Sequence, residues 1–252
     1  MSFTGSPVAF HVFGLEVRWY AILIVTGMLL AIQIASKEAK RIELGEETVS
    51  DLALLILPAG IIGARLWYVI FEWHRYRDNP ISALDIRSGG LAIHGALLAA
   101  AAVCYLFCRK RKLSFVKMAD LLLPVVALAQ AIGRWGNFTN NEAHGGPTDL
   151  PWGLWIAGEK VHPTFLYESI GDLCIFLFLW FYIRKHRSFD GQEASLYLIL
   201  YGVLRFFVEG LRTDSLYMGP IRVAQLVSLI GVACGTVLYF VFRHRAKTAN
   251  GG

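Results

Sequence analysis

The chain has 252 residues, of which 56% are hydrophobic and 17% are charged, and its mean hydropathy is +0.50. A soluble domain of this length rarely carries so many apolar residues, so the composition indicates a membrane protein. The formal net charge of +5 does not require a nucleic-acid partner, because basic loops that face anionic lipid account for it.

Seven apolar stretches are each long enough for a helix to cross a bilayer, which takes about 20 residues. In chain order they are 15–36, 50–72, 91–108, 117–134, 165–183, 195–212 and 221–242. The sequence therefore predicts an all-α polytopic membrane protein with seven transmembrane helices, in a single domain over residues 1–252. No basic region precedes the first stretch, so we expect a retained span rather than a cleaved signal peptide.

The distribution of basic residues predicts the orientation of these spans. If the N-terminus lies outside, the loops then assigned to the cytoplasm hold more lysine and arginine than the opposite loops. Those basic loops lie near 37–41, 109–117, 184–187 and 243–247. The positive-inside rule therefore favours an N-out, C-in topology. Segments 72–90 and 136–164 then lie on the outer side, and we expect them to form a small extracytoplasmic head.

The entry to the third predicted span carries a histidine behind a pair of glycines. Gly89 and Gly90 free the backbone ahead of His94. Histidine is the side chain that exchanges protons most readily near neutral pH, so His94 is a candidate proton acceptor. The alternative is a histidine that is simply held by a hydrogen bond to a neighbour.

Residues 133–142 combine an arginine, three amides and a carboxylate directly after an apolar run. Arg134 offers a planar fork of donors that suits a phosphate group. Asn137, Asn140 and Glu142 can bind hydroxyl groups or orient the arginine. The alternative is a polar helix end, in which Arg134 extends toward water and the asparagines cap the helix.

The start of the fifth predicted span carries His162, Tyr167 and Glu168. Pro163 suits the first turn of that helix, where its missing N–H has no consequence. These residues are candidates for a binding site on the outer side. Alternatively, Glu168 is a partner of the helix dipole and His162 is an ordinary loop residue.

The sixth predicted span carries Tyr201, Arg205, Glu209 and Arg212, at intervals of four, four and three residues. These intervals put the four side chains on one helix face. Arg205 and Glu209 are natural partners for an ion pair. A polar stripe within a span indicates a cavity, whereas the alternative is an ion pair that only joins two helices.

With these motifs in this order, the chain resembles the prolipoprotein diacylglyceryl transferase family. Residues 133–145 fit its signature G-R-x-G-N-F-x-N-x-E-x-x-G at every specified position. The segment around His94, the H-P-S/T-x-L-Y-E segment at 162–168 and the Y-x-x-x-R pair of the sixth span follow the family's order. Tyr20 lies in a motif like that of the family's first span. The chain departs in having Ala96 where a third glycine often follows the histidine.

The resemblance implies a multi-pass enzyme of the bacterial plasma (inner) membrane whose site faces the extracytoplasmic side. The expected partners are phosphatidylglycerol, membrane lipids and a prolipoprotein signal peptide with a lipobox cysteine. The cysteine sulfur would gain a diacylglyceryl group through a thioether, and glycerol phosphate would leave, in the first step of lipoprotein maturation. We expect no cofactor, no metal and no nucleic acid.

The resemblance also implies roles for particular residues. The leaving phosphate ester carries negative charge, and donors that stabilise it in a water-poor site matter most. Arg134 and Arg205 are the expected catalytic arginines, with His94 or Tyr201 as the proton acceptor. The expected substrate-binding residues are Asn137, Asn140, Glu142, Tyr20, His162, Tyr167, Glu168, Glu209, Arg212, Gly89 and Gly90.

Two other function classes fit a chain of this composition. A polytopic lipid or solute transporter would use Arg205 and Glu209 as a coupling pair. It predicts inverted repeats and polar groups near the midplane, whereas this sequence has no evident repeat and gathers its polar groups toward one side. An intramembrane protease is the second alternative, but the sequence has neither a G-x-S-G nucleophile motif nor a G-x-G-D aspartate motif.

Overall fold

The computed structural model describes residues 6–45, 47–86, 89–156 and 158–250. Seven long helices dominate this part of the chain. They are α1 (Trp19–Arg41), α2 (Glu47–Phe71), α3 (Ile93–Arg111), α4 (Phe115–Thr139), α5 (Thr164–Leu177), α6 (Gln192–Leu211) and α7 (Val223–Asn250). The α5 helix continues through a π-helical turn, Phe178–Ile183, and a 3₁₀ turn, Arg184–His186.

All seven helical segments are long and apolar enough to cross a membrane, which confirms the predicted multi-pass architecture. Three predicted boundaries are wrong. The last helix continues to Asn250 rather than ending at residue 242. The first helix begins at Trp19 rather than at residue 15, because 15–18 form a β-strand. The fourth helix continues to Thr139 instead of ending near Arg134. Much of the polar segment, residues 133–142, is therefore helical.

Six short strands form three antiparallel pairs among the described residues. The pairs are β1 (Val8–Val12) with β2 (Leu15–Arg18), β3 (Leu154–Ile156) with β4 (Glu159–Val161), and β5 (Tyr217–Met218) with β6 (Ile221–Arg222). In the second pair, Leu154 lies opposite Val161, and both pack with Phe165 in a small apolar core. The strands are a local addition to a helical protein.

The described residues divide into two compact units. Unit 1 comprises Met1–Ala35 and Ala119–Gly252, and unit 2 comprises Ser36–Met118. Unit 1 contains most of α1 and α4 and all of α5, α6 and α7. Unit 2 contains α2 and α3. The single domain predicted over 1–252 stays a prediction.

In unit 1, α6 and α7 approach each other at backbone distance. A side-chain carbon at Gly202 would lie only 2.8 Å from the Ser228 backbone oxygen, so no larger residue fits there without a shift. Small residues allow such close approach between membrane helices, where packing contacts replace the hydrophobic effect as the source of association. The position of α6 is therefore closely defined by α7.

Buried polar contacts tie α4, α5 and α6 together at one end of unit 1. The Asp120 carboxylate on α4 accepts hydrogen bonds from the backbone N–H groups of Gly191 and Ala194, at 2.6 and 2.8 Å. It thereby satisfies donors at the start of α6. Arg184 pairs with the fully buried Glu193, at 2.7 Å. These contacts set the relative positions of the three helices that carry the site.

In unit 2, α2 packs against α3, and a buried arginine organises the segment between them. The Arg65 guanidinium donates hydrogen bonds to five backbone carbonyls within the 72–90 segment. The acceptors are those of Ser82, Ala83, Asp85, Gly89 and Gly90, at 2.6 to 3.1 Å. A single side chain therefore fixes the path of the chain just before α3.

Candidate active site

A buried carboxylate on α5 joins arginines from two other helices. Glu168 Oε1 lies 2.6 Å from Arg134 Nη2 on α4. Arg205 Nη1 on α6 lies 3.0 Å from both Glu168 oxygens. The two arginines that the sequence analysis assigned to one site are thus brought together by Glu168. We call Arg134, Glu168 and Arg205, together with Glu209, the arginine cluster.

The predicted ion pair on α6 is present. Arg205 Nη2 donates to Glu209 Oε2 at 2.6 Å. Arg222 of β6 donates to the Glu209 backbone carbonyl. Each terminal nitrogen of Arg205 is therefore held by a different carboxylate, which fixes the plane of its guanidinium.

The charges of the arginine cluster are arranged asymmetrically. The side chains of Glu168 and Glu209 are 1% and 2% exposed, whereas those of Arg134 and Arg205 are 20% and 17% exposed. The carboxylates are therefore sealed from the surroundings, and the arginines are the less buried members of the cluster. A guanidinium offers donors that suit an anionic ligand.

The structure adds a third acid that the sequence analysis missed. Asp172 lies one turn beyond Glu168 on α5 and is fully buried. Among the described residues, neither of its carboxylate oxygens has a hydrogen-bond partner. Arg134 and Arg205 are near enough to interact with it electrostatically. An acid in the middle of an apolar span was the signal that could have identified it.

Tyr201 lies one turn before Arg205 on α6 and within electrostatic reach of Arg134. Its ring stacks on Tyr197, with 5.6 Å between the ring centroids. The Tyr197 hydroxyl donates to Gln130 Oε1 on α4 at 2.8 Å. Tyr197 and Gln130 carry no sequence motif, and only the packing of α4 against α6 reveals them.

The amides of the polar segment point toward Glu142. Asn137 Nδ2 and Asn140 Nδ2 donate to Glu142 Oε1 at 3.0 and 3.3 Å. The carboxylate paired with Arg134 is Glu168, so Glu142 is held by the asparagine amides and its expected role toward hydroxyl groups or the arginine stays a prediction. Asn140 Oδ1 is buried, and no described residue donates a hydrogen bond to it.

Tyr20 lies at the start of α1 and contacts the polar segment. A side-chain carbon at Gly136 would lie 2.5 Å from Tyr20 Cδ2, so the absence of a side chain there admits the tyrosine ring. Tyr20 interacts electrostatically with both Glu142 and Arg134. It therefore lies beside both the arginine cluster and the asparagine–glutamate group, which comprises Asn137, Asn140 and Glu142.

His162 and Tyr167 form a hydrogen-bonded group at the start of α5. His162 Nδ1 lies 3.3 Å from the Tyr167 hydroxyl, and Trp152 Nε1 donates to the same hydroxyl at 3.0 Å. The backbone of His162 also pairs with Gly145 and Gly146. These contacts give both side chains a structural function at the start of α5 that does not depend on a ligand.

Arg212 lies just past the end of α6 and pairs with a residue that the sequence analysis did not consider. Its guanidinium donates two hydrogen bonds to Asp214, at 2.9 and 2.7 Å. These bonds hold the pKa of Asp214 below its ordinary value. Burial lowers the pKa of Arg212, but the nearby carboxylates of Asp214, Glu168 and Glu209 together outweigh this and leave that pKa raised. Arg212 is therefore hydrogen-bonded to Asp214 and also within electrostatic reach of the arginine cluster.

His94, Gly89 and Gly90 belong to unit 2. The His94 ring lies beside Trp67, with 6.4 Å between the ring centroids. Gly89 and Gly90 adopt φ values of +85° and +73°, and their carbonyls face Arg65. The two glycines therefore take a backbone conformation that other residues rarely adopt. The role of His94 in proton transfer stays a prediction.

Comparison with known proteins gives a consistent result over nearly the whole chain. A family model described as prolipoprotein diacylglyceryl transferase matches residues 7–241. The phosphatidylglycerol–prolipoprotein diacylglyceryl transferase of Finegoldia magna is 52% identical, with 94% of this chain and 95% of the relative covered. Those of Clostridioides difficile and Clostridium novyi are 48% and 47% identical, with at least 92% of this chain and 94% of each relative covered. The matched residues include the entire arginine cluster.

Proposed function

The chain belongs to the prolipoprotein diacylglyceryl transferase family, and we propose that its arginine cluster is where the transfer takes place. The enzyme transfers the diacylglyceryl group of phosphatidylglycerol during lipoprotein maturation. One observation carries the assignment of the site: guanidinium groups from two different helices share one buried carboxylate and are less buried than the acids that hold them. The transporter alternative has no comparable support.

The acceptor in the proposed reaction is the lipobox cysteine of the prolipoprotein. Its sulfur forms a bond to a glycerol carbon of phosphatidylglycerol while the bond from that carbon to a phosphate oxygen breaks. The thiol proton passes to a base and finally to the leaving phosphate or to water. The products are a thioether-linked diacylglyceryl cysteine and glycerol phosphate, so atoms and charge balance without a cofactor.

Arg134 and Arg205 stabilise the charge that develops on the leaving phosphate. A guanidinium binds phosphate oxygens through paired, charge-assisted hydrogen bonds. Such donors contribute most where water is scarce and where their positions are fixed before the reaction. Glu168 and Glu209 supply this fixed geometry, so we regard them as positioning residues rather than as groups that touch the substrate.

The attacking thiol needs help because an ordinary cysteine, with a pKa of about 8.5, is mostly protonated near neutral pH. His94 is our first candidate for the proton acceptor and Tyr201 the second. The positive charge of the arginine cluster would also favour the thiolate. The transfer rate is measured against pH for the parent and for His94→Gln. This comparison distinguishes a proton acceptor from a residue that only positions the lipid.

The remaining polar residues suit the head group of phosphatidylglycerol. Glu142 accepts from the amides of Asn137 and Asn140, which leaves the buried Asn140 Oδ1 available as an acceptor. A glycerol hydroxyl is a donor of matching chemistry. Tyr20 lies between this group and Arg134. We therefore assign the asparagine–glutamate group to the glycerol and the arginine cluster to the phosphate.

The site faces the extracytoplasmic side of the bacterial inner membrane in our proposal. The N-out topology puts the end of α4, the start of α5 and the end of α6 on the outer side. Arg134, Glu168 and Arg205 lie near those three helix ends. The signal peptide of an exported prolipoprotein reaches this side, which agrees with the proposed substrate.

The test uses purified protein in vesicles of phosphatidylglycerol with a lipobox peptide that carries either cysteine or serine. We expect a diacylglyceryl mass gain on the cysteine peptide only, together with release of glycerol phosphate. Mass spectrometry of the peptide and an assay of the released phosphate ester give the two readouts. Folded protein that produces neither product would reject the proposal.

A further inference from the structure

The β1–β2 hairpin, residues 8–18, has one apolar face. In an antiparallel pair, directly opposed residues point to the same side of the ribbon. Phe10 lies opposite Val17, and Val12 lies opposite Leu15. Four neighbouring side chains on one face are therefore apolar.

The opposite face of the hairpin is mainly polar, with Val8, opposite Arg18, as an apolar member. His11 lies opposite Glu16, and the Glu16 carboxylate pairs with Arg18 at 3.4 Å. Phe10, Val12 and Leu15 on the apolar face are nevertheless exposed, Leu15 to 71%. A lone two-stranded hairpin is only marginally stable in water. Its apolar face therefore requires a partner that the described chain does not supply.

The tip of the hairpin also exposes an apolar side chain. Phe13 and Gly14 form its two-residue turn with φ values of +49° and +79°. Turns of this kind favour asparagine, aspartate or glycine at the first position, because a positive φ is unfavourable for a bulky residue. Phe13 is nevertheless present and is fully exposed, at 101%. An aromatic ring held outward at an unfavourable backbone position indicates a contact outside the chain.

The position of the hairpin identifies that contact. The α1 helix, which is long and apolar enough to cross the membrane, begins at Trp19, immediately after β2. The Trp19 N–H donates to the Pro7 carbonyl at 3.1 Å, which ties the other end of the hairpin to the same point. Tryptophan is typical of the boundary between hydrocarbon and water. The hairpin therefore begins at that boundary, and its five-residue strand reaches roughly 16 Å.

We propose that the β1–β2 hairpin is an interfacial anchor, with its apolar face and the Phe13 ring inserted among the lipids of the leaflet in which α1 begins. Its polar face, with His11, Glu16 and Arg18, meets head groups and water. The occupant of the apolar face is lipid, because this face has only four side chains and the hairpin leads directly into a helix that is long and apolar enough to cross the membrane.

The same arrangement recurs before the last span. The β5–β6 pair ends directly before α7, which begins at Val223. Met218 and Ile221 oppose each other there, and both are exposed, as is Leu216. In the N-out topology α1 and α7 start on the same side of the membrane. Two apolar hairpins at two span entries are consistent with one common environment, the lipid interface.

The anchor bears on catalysis, and this step rests on the proposed function. Tyr20 is the second residue of α1, and its ring packs against Gly136, two residues beyond Arg134. Lipid phosphates occupy a narrow depth in the bilayer. A hairpin held in the interface at the first turn of α1 would therefore keep Tyr20 and Arg134 at the depth of the phosphate.

Photo-crosslinking tests the anchor directly and without reference to activity. The full-length protein carries a benzoylphenylalanine at position 13 or, as the matched control, at position 16 on the polar face. It is irradiated in phosphatidylglycerol vesicles with lipobox peptide present, and the adducts are identified by mass. We expect at least several-fold more lipid adduct at position 13. Adducts mainly to peptide or to a second copy, equal lipid labelling at both positions, or none at all would overturn the anchor.

Two substitutions at the tip then test its effect on the site. Phe13→Asn suits the turn better than phenylalanine and so preserves the hairpin while it removes the apolar tip. We expect turnover to fall several-fold in vesicles but not in detergent micelles, with Phe13→Trp close to the parent in both. Equal loss in both media would indicate a folding role, and unchanged turnover in vesicles would remove the link to the site. Either result contradicts the proposed effect of the anchor on the site. The crosslinking result does not depend on catalysis and so tests the anchor by itself.

Discussion

Glu168 balances two arginines at once, so its removal should affect both stability and turnover. Without its charge, two mostly buried guanidinium groups are left with Glu209 and the unpaired Asp172 nearby. Breaking a buried ion pair by removal of one partner costs about 3–5 kcal/mol. We expect Glu168→Gln to lower the Tm by several degrees and to abolish detectable transfer, as measured by thermal unfolding in detergent and by the peptide assay.

Asp172→Asn is the matched comparison for that substitution. It removes an acid from the same helix face one turn away, but this acid has no hydrogen-bond partner among the described residues. Neutralising an unpaired buried carboxylate also removes a desolvation penalty. We expect a much smaller change in Tm than for Glu168→Gln. An equal loss of stability would contradict the assignment of Glu168 as the main charge partner.

Arg134 and Arg205 are each expected to be needed for the chemical step. A single preorganised donor to a developing negative charge typically contributes a factor of about 100 to 1,000 in rate. Arg134→Gln and Arg205→Gln should therefore lower kcat by at least about that factor while the protein still inserts into membranes. Arg245→Gln, an exposed position near the end of α7, is the control. Substantial residual turnover in either variant would reduce that arginine to a packing role.

The Arg212–Asp214 pair gives a pH dependence of known sign. The pKa of Asp214 lies below its ordinary value because Arg212 donates hydrogen bonds to it. The stabilisation is therefore complete above about pH 4, the unfolded value, and is lost as the pH falls through the lower folded pKa.

Asp214→Asn tests that pair. It should lower stability at pH 7 by less than about 1 kcal/mol, because the carboxylate is half exposed. The difference in the free energy of unfolding between Asp214→Asn and the parent should shrink near pH 3. Unfolding experiments at pH 7 and pH 3 measure this difference. Asp78→Asn, a more exposed acid, is the control, and a difference that grows on acidification would contradict the assigned pair.

The residues of the cluster were only partly predictable. Arg205 and Glu209 are four positions apart on one helix, so their pairing follows from helical geometry alone. The partner of Arg134 lies 34 positions away on another helix, and Glu142 is nearer in sequence. Only the packing of α4 against α5 selects Glu168. Asp172 was detectable as a charge inside a span but was not recognised.

At the scale of elements, the spans were predictable because a helix that crosses the hydrocarbon layer needs a long apolar run. The ends of the spans were less predictable. Residues 15–18 are partly apolar, so a search for apolar stretches merges them with the first span, although their alternation is that of a strand. Residues 135–139 stay helical because no proline interrupts them and the amides of Asn137 and Asn140 find a partner in Glu142.

The segment that precedes α3 depends on Arg65 more than on its own secondary structure. Removal of the guanidinium takes one hydrogen-bond donor away from each of five carbonyl groups. We expect Arg65→Gln to raise hydrogen exchange and protease sensitivity across residues 80–90. Turnover should fall as well if His94 acts as proposed. Arg75→Gln, at an exposed position of the same segment, should change neither, and unchanged protection in Arg65→Gln would contradict the role of Arg65.

At the scale of the whole molecule, the proposed chemistry relies on arginines and not on a metal ion. No set of three or more histidine, cysteine, aspartate or glutamate side chains among the described residues could hold a metal ion. The acids of the cluster, Glu168 and Glu209, are already paired with arginine, and Asp172 is a single further acid beside them. We expect full transfer activity after dialysis against EDTA. A strict requirement for added Mg²⁺ or Ca²⁺ would contradict the proposed role of the arginines.

The fold class and the family could be predicted from the sequence, because the apolar composition and the order of the motifs extend over the entire chain. The N-out, C-in orientation and the single domain stay predictions. Labelling of single cysteines introduced near residues 10 and 245 in intact cells would establish the orientation.

The burial of Glu168 and Glu209 beside two less buried arginines has a pharmacological consequence. A compound that binds here interacts with cationic groups whose counterions it cannot displace. A membrane-soluble phosphonate with no positive charge of its own should therefore be held more tightly than a thiol-directed reagent. Lipids with a choline or ethanolamine head group would bring a second cation to this surface, and we expect them to compete poorly.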